Sequence, residues 1–308
     1  MRTLVAVLTA FVLAACSGAT TLEPAPRVSV VTTISTLADL VRNVAGDRAE
    51  VYSLVPHGGD PHTFDPSPSE AVRVSQADML VMNGLGLDEW LTRFIETVGA
   101  DGVPLVELAE DLPAVDYLEG GDEHTEGDEP ADQDDHAINP HLWLNVGYAR
   151  LYLARIADEL STVDPDGEAV YRANAAAYET ELGALDDWIR EEVATIPETD
   201  RRIVSFHDAF PYFARAYGFE IVGVLVEVPG KEPSAGEVAR LITAIRATGV
   251  RLILAESQFS DALAQTIAAE TNATVVRELY TDSLGAAPAD TFIGAMRWNA
   301  EQITQALK

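Results

Sequence analysis

The chain has 308 residues with 20 basic against 50 acidic side chains, a formal net charge of −30 at neutral pH. A surface of that sign repels nucleic acid and anionic lipid headgroups and attracts cations, although the same acidity also serves simply to keep a protein soluble. The one cysteine, Cys16, excludes an internal disulfide and leaves no thiolate for metal or redox work.

Residues 1–15 read as an export signal. Arg2 is followed by an apolar run, Leu4 to Val12, that is too short to span a bilayer. The ending Leu13-Ala14-Ala15-Cys16 resembles the bacterial lipobox, which would make Cys16 the diacylated start of the mature chain. The plainer alternative is ordinary cleavage nearby, with Cys16 a bystander and the product soluble in the periplasm. Residues 16–27, with Pro24 and Pro26, read as a flexible tether.

From Val28 onward the chain is long enough for two lobes of about 130 residues each. In the first, residues 28–163, strands are predicted at Val28 to Thr32, Val51 to Val55, Met79 to Met82 and Pro104 to Leu108, with helices over Leu37 to Val44 and Leu87 to Val98. In the last, residues 198–308, strands are predicted at Ile203 to Phe206, Ile221 to Val226, Leu252 to Ala255 and Thr274 to Val276. Helices over Ala209 to Tyr217, Glu237 to Thr248 and Asp261 to Glu270 separate them. Strands alternating with helices predict an α/β fold with mostly parallel sheets. Between the lobes, residues 164–197 carry Tyr171, Tyr178, Leu182, Leu185 and Ile189 at steps of 7, 4, 3 and 4, one face of a helix that Pro197 stops. At about 1.5 Å per residue it would approach 40 Å and form a stiff spine.

Residues 119–136 hold nine carboxylates and two histidines, His124 and His136, with no large apolar side chain. Such a segment cannot bury enough surface to order itself and is expected to be a mobile loop. It reads either as a weak cation trap beside a binding site or as a solvated acidic loop without a role. Asp132 and Asp134 superficially suggest a calcium loop, but the turn glycine and closing glutamate are missing.

Chemistry concentrates in four separated segments: Asp60-Pro61-His62-Thr63-Phe64, Asn139-Pro140-His141-Leu142-Trp143-Leu144, Ser205-Phe206-His207-Asp208-Ala209-Phe210 and Tyr280-Thr281-Asp282-Ser283-Leu284. Each follows a predicted strand or a loop near one, so the four can converge. Three imidazoles and a carboxylate suit a divalent first-row ion, zinc in particular. A zinc enzyme keeps one position open for water, and four protein ligands would close it, so capture is the first reading.

From Val28 to the C-terminus the chain resembles the cluster A-I metal-specific solute-binding lipoproteins of zinc and manganese ABC importers. The resemblance rests on Gly58 to Ser69, Asn139 to Leu144, His207 to Phe213 and Tyr280 to Leu284, in that order. It implies two (β/α)-type lobes bridged by one rigid helix, with the ion in the cleft, and His62, His141, His207 and Asp282 as its ligands. It also implies a monomer serving a permease and its ATPase, with a metal carrier protein as a further partner. Histidine as the third ligand and an insert before the Asn-Pro-His segment both accompany zinc in this family; the insert here is poor in histidine. A manganese or iron receptor is the alternative.

Glu256, at the end of a predicted strand, is expected to hydrogen-bond a ligand imidazole. His57 is a further candidate for that outer role or a solvated loop histidine, and Trp143 is expected to pack beneath His141. Two other classes compete. A zinc hydrolase would use three histidines plus water, with Glu256 or Asp208 as base, and is excluded if Asp282 ligates; a surface adhesin or metal store could use the same fold.

Overall fold

A computed structural model describes residues 27–120, 138–226 and 229–308. The export signal, Cys16, most of the acidic insert, and His124 and His136 lie outside the described residues.

The first half alternates β1 (Val28–Thr32), α1 (Ser35–Ala45), β2 (Ala49–Ser53), α2 (Pro68–Ser75), β3 (Met79–Met82), α3 (Trp90–Val98) and β4 (Leu105–Glu107). Its four strands pair in parallel in the order β2-β1-β3-β4. All four residues of β3 are buried, because helices cover both faces of a parallel sheet. Two helices follow, α4 (Val146–Val163) and α5 (Glu168–Ala194). The second half runs β5 (Arg202–His207), α6 (Pro211–Tyr217), β6 (Glu220–Val226), α7 (Ala235–Thr248), β7 (Leu252–Glu256), α8 (Ala262–Thr271), β8 (Thr274–Leu279) and α9 (Phe292–Leu307). Its sheet, also parallel, has the order β6-β5-β7-β8. Among the described residues no helix is long and apolar enough to cross a membrane.

The 27 residues of α5 span about 40 Å at 1.5 Å per residue. One stripe is buried: Tyr171, Ala175, Tyr178, Leu182, Leu185, Ile189 and Val193. Those side chains belong to a continuous core that also holds Val30 and Val81 of the first sheet, Ile203 and Leu252 of the second, and Phe292 and Ile303 of α9. Each large apolar side chain buried there contributes about 1.5–3 kcal/mol, so the stripe ties both sheets to one rod. A polar clasp reinforces it: the Asp39 carboxylate on α1 accepts from Phe292 N at 2.9 Å and Tyr178 Oη at 3.3 Å. Burial pushes that carboxyl above its ordinary pKa.

The spine is shorter than the predicted span 164–197. Pro165–Gly167 forms a separate 3-10 turn, and Asp164 is engaged instead with Arg48 and with the hydroxyl of Tyr171. β2 starts two residues before the predicted Val51, since Ala49 and Glu50 pair with Val28 and Ser29. Its predicted end is displaced too: Leu54 and Val55 still donate to Thr32 O and Thr33 O but have left the ladder. Three helices, α2, α4 and α9, have no predicted range in the sequence reading.

Parallel strands place their carboxyl ends along one edge of each sheet, where crossover loops leave side chains free to meet a ligand. That edge supplies three of the residues described next, His62, His207 and Asp282, and His141 joins them from the turn before α4.

Candidate metal centre

His62 lies on the loop after β2. The loop is shaped by Asp60, whose carboxylate accepts from His62 N at 3.0 Å and Thr63 Oγ1 at 2.7 Å, and by Trp90 Nε1, which donates to Pro61 O at 3.0 Å. His141 leads into the 3-10 turn Leu142–Leu144. Asn139 Oδ1 lies 3.1 Å from both His141 N and His141 Nδ1, and Asn139 Nδ2 donates to Asp208 O at 2.7 Å. With Nδ1 carrying the proton shared with Asn139, Nε2 is left as the bare donor atom. Trp143 is fully buried beneath this imidazole, with ring centroids 5.3 Å apart.

His207 and Glu256 are the last residues of β5 and β7, which are neighbours in the second sheet. His207 Nδ1 lies 2.9 Å from Glu256 Oε1. Asp282 follows β8; Gln258 Nε2 donates to its Oδ2 at 2.9 Å and to Thr281 Oγ1 at 3.0 Å.

The structure brings His62, His141, His207 and Asp282 together, each offering a ligand atom within 4.8 Å of the others. The Nε2 atoms of His141 and His207 are 3.3 Å apart. Asp282 Oδ1 is 3.3 Å from His141 Nε2, and its Oδ2 is 3.4 Å from His207 Nε2 and 3.8 Å from His62 Nε2. A regular tetrahedron with corners about 2.0–2.1 Å from its centre has edges of about 3.3 Å, and three of these four spacings are close to that length, with the two shortest carboxylate spacings made by different oxygens of Asp282. Two of the inward atoms, His62 Nε2 and Asp282 Oδ1, are buried without a hydrogen-bond partner. Buried polar atoms are rarely left so, and a cation among them satisfies both.

The electrostatics divide the imidazoles. Burial drives His62 down to about 4, against the pull of Asp282. Burial acts on His207 in the same sense, but Glu256 and Asp282 outweigh it and lift the imidazole to about 10. Burial would raise Asp282, yet His207 and His141 hold its carboxyl well below the ordinary range. Without a metal the Asp282 carboxylate thus faces the charged ring of His207, and binding would exchange that proton for an ion.

The strap around Asp282 is stitched to both halves. From the first half, Trp143 Nε1 donates to Thr281 O at 2.8 Å, Gly58 N to Ser283 Oγ at 2.9 Å, and Ser35 Oγ accepts from Leu284 N at 2.8 Å. His57 Nδ1 lies 3.2 Å from Gly285 O, so this histidine meets the strap and not an imidazole of the cluster. From the second half, Asn299 on α9 exchanges two hydrogen bonds with the backbone of Tyr280.

Four side chains fill the centre and the two acids considered as bases are engaged elsewhere: Glu256 with His207, and Asp208 with Asn139. The arrangement can hold an ion. Sequence reasoning missed Asn139 and Gln258. Asn139 stands inside the Asn-Pro-His segment, two residues before a histidine, where an amide can cap a loop; nothing in the sequence around Gln258 marks it.

Comparison with known proteins agrees with this geometry. Residues 30–306 match the family model described as zinc-uptake complex component A, periplasmic. The manganese-binding lipoprotein MntA of Halalkalibacterium halodurans is 34% identical over 289 residues, covering 93% of this chain and 91% of that protein. The manganese ABC transporter substrate-binding lipoprotein PsaA of Streptococcus pneumoniae is 31% identical over 319 residues, with 100% and 99% coverage. Among solved structures, the periplasmic zinc-binding protein TroA of Treponema pallidum superposes with a TM-score of 0.78 at 25% identity, covering 91% of this chain and 99% of that one. A Mn-bound periplasmic metal-binding protein of Candidatus Liberibacter asiaticus gives 0.77 at 25% identity, with 92% and 100% coverage.

Proposed function

The chain belongs to the family of zinc-uptake complex component A, periplasmic, and from that premise we propose that it is an extracytoplasmic receptor that captures zinc and delivers it to the permease of an ABC importer driven by its ATPase. A component of this family binds and hands over its solute, and no reaction on that solute is asked of it. The observation that carries the zinc reading is the convergence of three imidazole nitrogens and one carboxylate on a single buried point. Three nitrogen donors favour zinc, which accepts four-coordination without penalty.

A second reading, manganese, has its own support. Both oxygens of Asp282 face the imidazoles, so the carboxylate can bind through both and raise the coordination number toward what manganese prefers. Relatives such as MntA and PsaA carry manganese in their names. A paired competition titration of zinc and manganese against one chelator, with the bound metal read by elemental analysis, decides between the two. Zinc bound more tightly than the general affinity order alone requires supports the first reading; near-parity, or manganese recovered from protein purified from its host, supports the second.

The receptor is proposed to be held at the membrane by acylated Cys16, in keeping with relatives named as lipoproteins. Cys16→Ala should release the protein from the membrane fraction, and retention of that variant would remove the anchor from the proposal.

A further inference from the structure

We propose that Gln258 sets how Asp282 binds the ion and thereby the preference of this site between zinc and manganese; the inference rests on the reading of the four-residue cluster as the metal site. The two carboxylate oxygens of Asp282 stand in different surroundings. Oδ2 accepts the Gln258 amide N–H at 2.9 Å, whereas Oδ1 is buried and has no hydrogen-bond partner. A hydrogen bond occupies one lone pair of an oxygen and withdraws electron density from it. Oδ1, beside His141 Nε2, is therefore the stronger donor; Oδ2, although it lies nearer the His207 and His62 nitrogens, is the weaker, and the carboxylate is biased toward binding through one oxygen.

Gln258 also fixes the angle of the carboxylate. Its amide nitrogen bridges Oδ2 and Thr281 Oγ1, two points on the strap, so rotation of the carboxylate about its own axis would break a charge-assisted hydrogen bond. One-oxygen binding together with three imidazoles makes four ligands, the number zinc accepts readily. Two-oxygen binding makes five, with a larger share of oxygen, and moves the site toward manganese. The residue that decides between them is a neutral amide that does not itself touch the ion. Supporting contacts of this kind change metal affinity by about 10–100-fold when removed.

Gln258 sits on the loop after β7, two residues beyond Glu256. The same short segment thus orients His207 through Glu256 and Asp282 through Gln258. The carbonyl oxygen of Gln258 is buried without a partner, which leaves the amide nitrogen as the working end of the side chain.

The test uses the full-length protein and two variants, Gln258→Leu, which removes the donor at similar volume, and Gln258→Glu, which keeps the shape but cannot donate when ionised. Zinc and manganese affinities are measured by competition against one chelator at fixed pH. Because both metals titrate the same folded population, their ratio is insensitive to partial misfolding. The zinc-to-manganese affinity ratio is expected to fall about tenfold in Gln258→Leu and at least as far in Gln258→Glu. X-ray absorption on the zinc-loaded and manganese-loaded forms supplies a readout that packing alone would not move: the light-atom coordination number should rise in both variants relative to the parent. A ratio and coordination number unchanged in Gln258→Leu overturn the proposal, as does a Gln258→Glu protein that behaves like the parent, since shape would then suffice. The parent's own preference is read in the same titration. A parent that favours manganese sinks the zinc reading, while the response to losing the donor still decides the role of Gln258.

Discussion

The two histidines that close the cleft from opposite sides, His62 and His207, are proposed as the same kind of ligand and stand in opposite states of preparation. His207 is the last residue of a central strand, its side chain 1% exposed, with one ring nitrogen held by Glu256. His62 rides on a loop shaped through its backbone, its side chain is 18% exposed, and its inward nitrogen has no partner. In the proposed site one is preset by the sheet, and the other would be recruited by the ion. A site built this way keeps its geometry on one side and its adaptability on the other, with the adaptable ligand nearest to solvent where an ion enters.

Removing the preset ligand should cost most. His207→Ala is expected to weaken zinc binding more than 100-fold, beyond what loss of a supporting partner costs, while the metal-free fold survives because ligands at strand ends contribute little to the two cores. Titration of the variant together with its circular dichroism checks both halves of the statement; zinc binding like that of the parent would remove His207 from the site. Exchange in place of removal shifts preference. His207→Glu swaps nitrogen for oxygen and should lower the zinc-to-manganese affinity ratio by about 1–3 kcal/mol, tenfold to over a hundredfold, with zinc still the tighter ion. An unchanged ratio would mean that the spacing between the halves, and not the third ligand, sets selectivity.

His62→Ala should weaken zinc by about tenfold to a hundredfold, less than His207→Ala, since three prepared groups remain. Equal losses would erase the contrast between preset and recruited ligands. The contrast also has a pH signature. His207, lifted from 6.5 to about 10, stabilises the metal-free fold fully below 6.5 and loses that contribution as pH rises toward 10. Zinc must displace this proton, so apparent affinity should climb with pH between those limits by up to about tenfold per unit. His62, lowered to about 4, is already neutral there and adds no slope. Calorimetry in buffers of different ionisation enthalpy counts the proton released, and a flat profile would contradict the assignment of the charge to His207. The smallest expected effect is that of deleting the acidic insert. Capture should slow while equilibrium affinity stays within about threefold, because long-range charge acts on association more than on binding strength. A large loss of affinity would bring His124 or His136 into the primary site.

The four clustered side chains could be found in the sequence because each stands in a short distinctive segment, at a strand end for His207 and on a loop for His62, His141 and Asp282, and strands such as Met79–Met82 announce themselves as unbroken apolar runs. Helix α2 could not be read this way. It has eight residues and buries only Val74, so it carries no periodic stripe; its signal is the capping box of Ser67 and Glu70 with Pro68 at the first turn. Helix α9 does carry a stripe, Phe292, Ala295, Met296, Ala300, Ile303 and Leu307, and was legible on the same terms as α5. The partners of the ligands were legible only in part. Glu256 follows from its place at a strand end, whereas Gln258 depends on where a loop turns, which no residue pattern encodes.

The strap from Tyr280 to Gly285 changes what the cleft can do. Joined to α9 on one side and to Ser35, Gly58 and Trp143 on the other, it acts as a second fastening across a molecule already bolted by α5. Two bodies fixed at one place can swing apart; fixed at two, they can only flex. Wide parting of the halves would have to tear the strap's hydrogen bonds from one side or the other, at the residue next to Asp282. In a receptor of the proposed kind, release of the ion would then be a local event at the rim, a loosening of the His62 loop or of the strap itself.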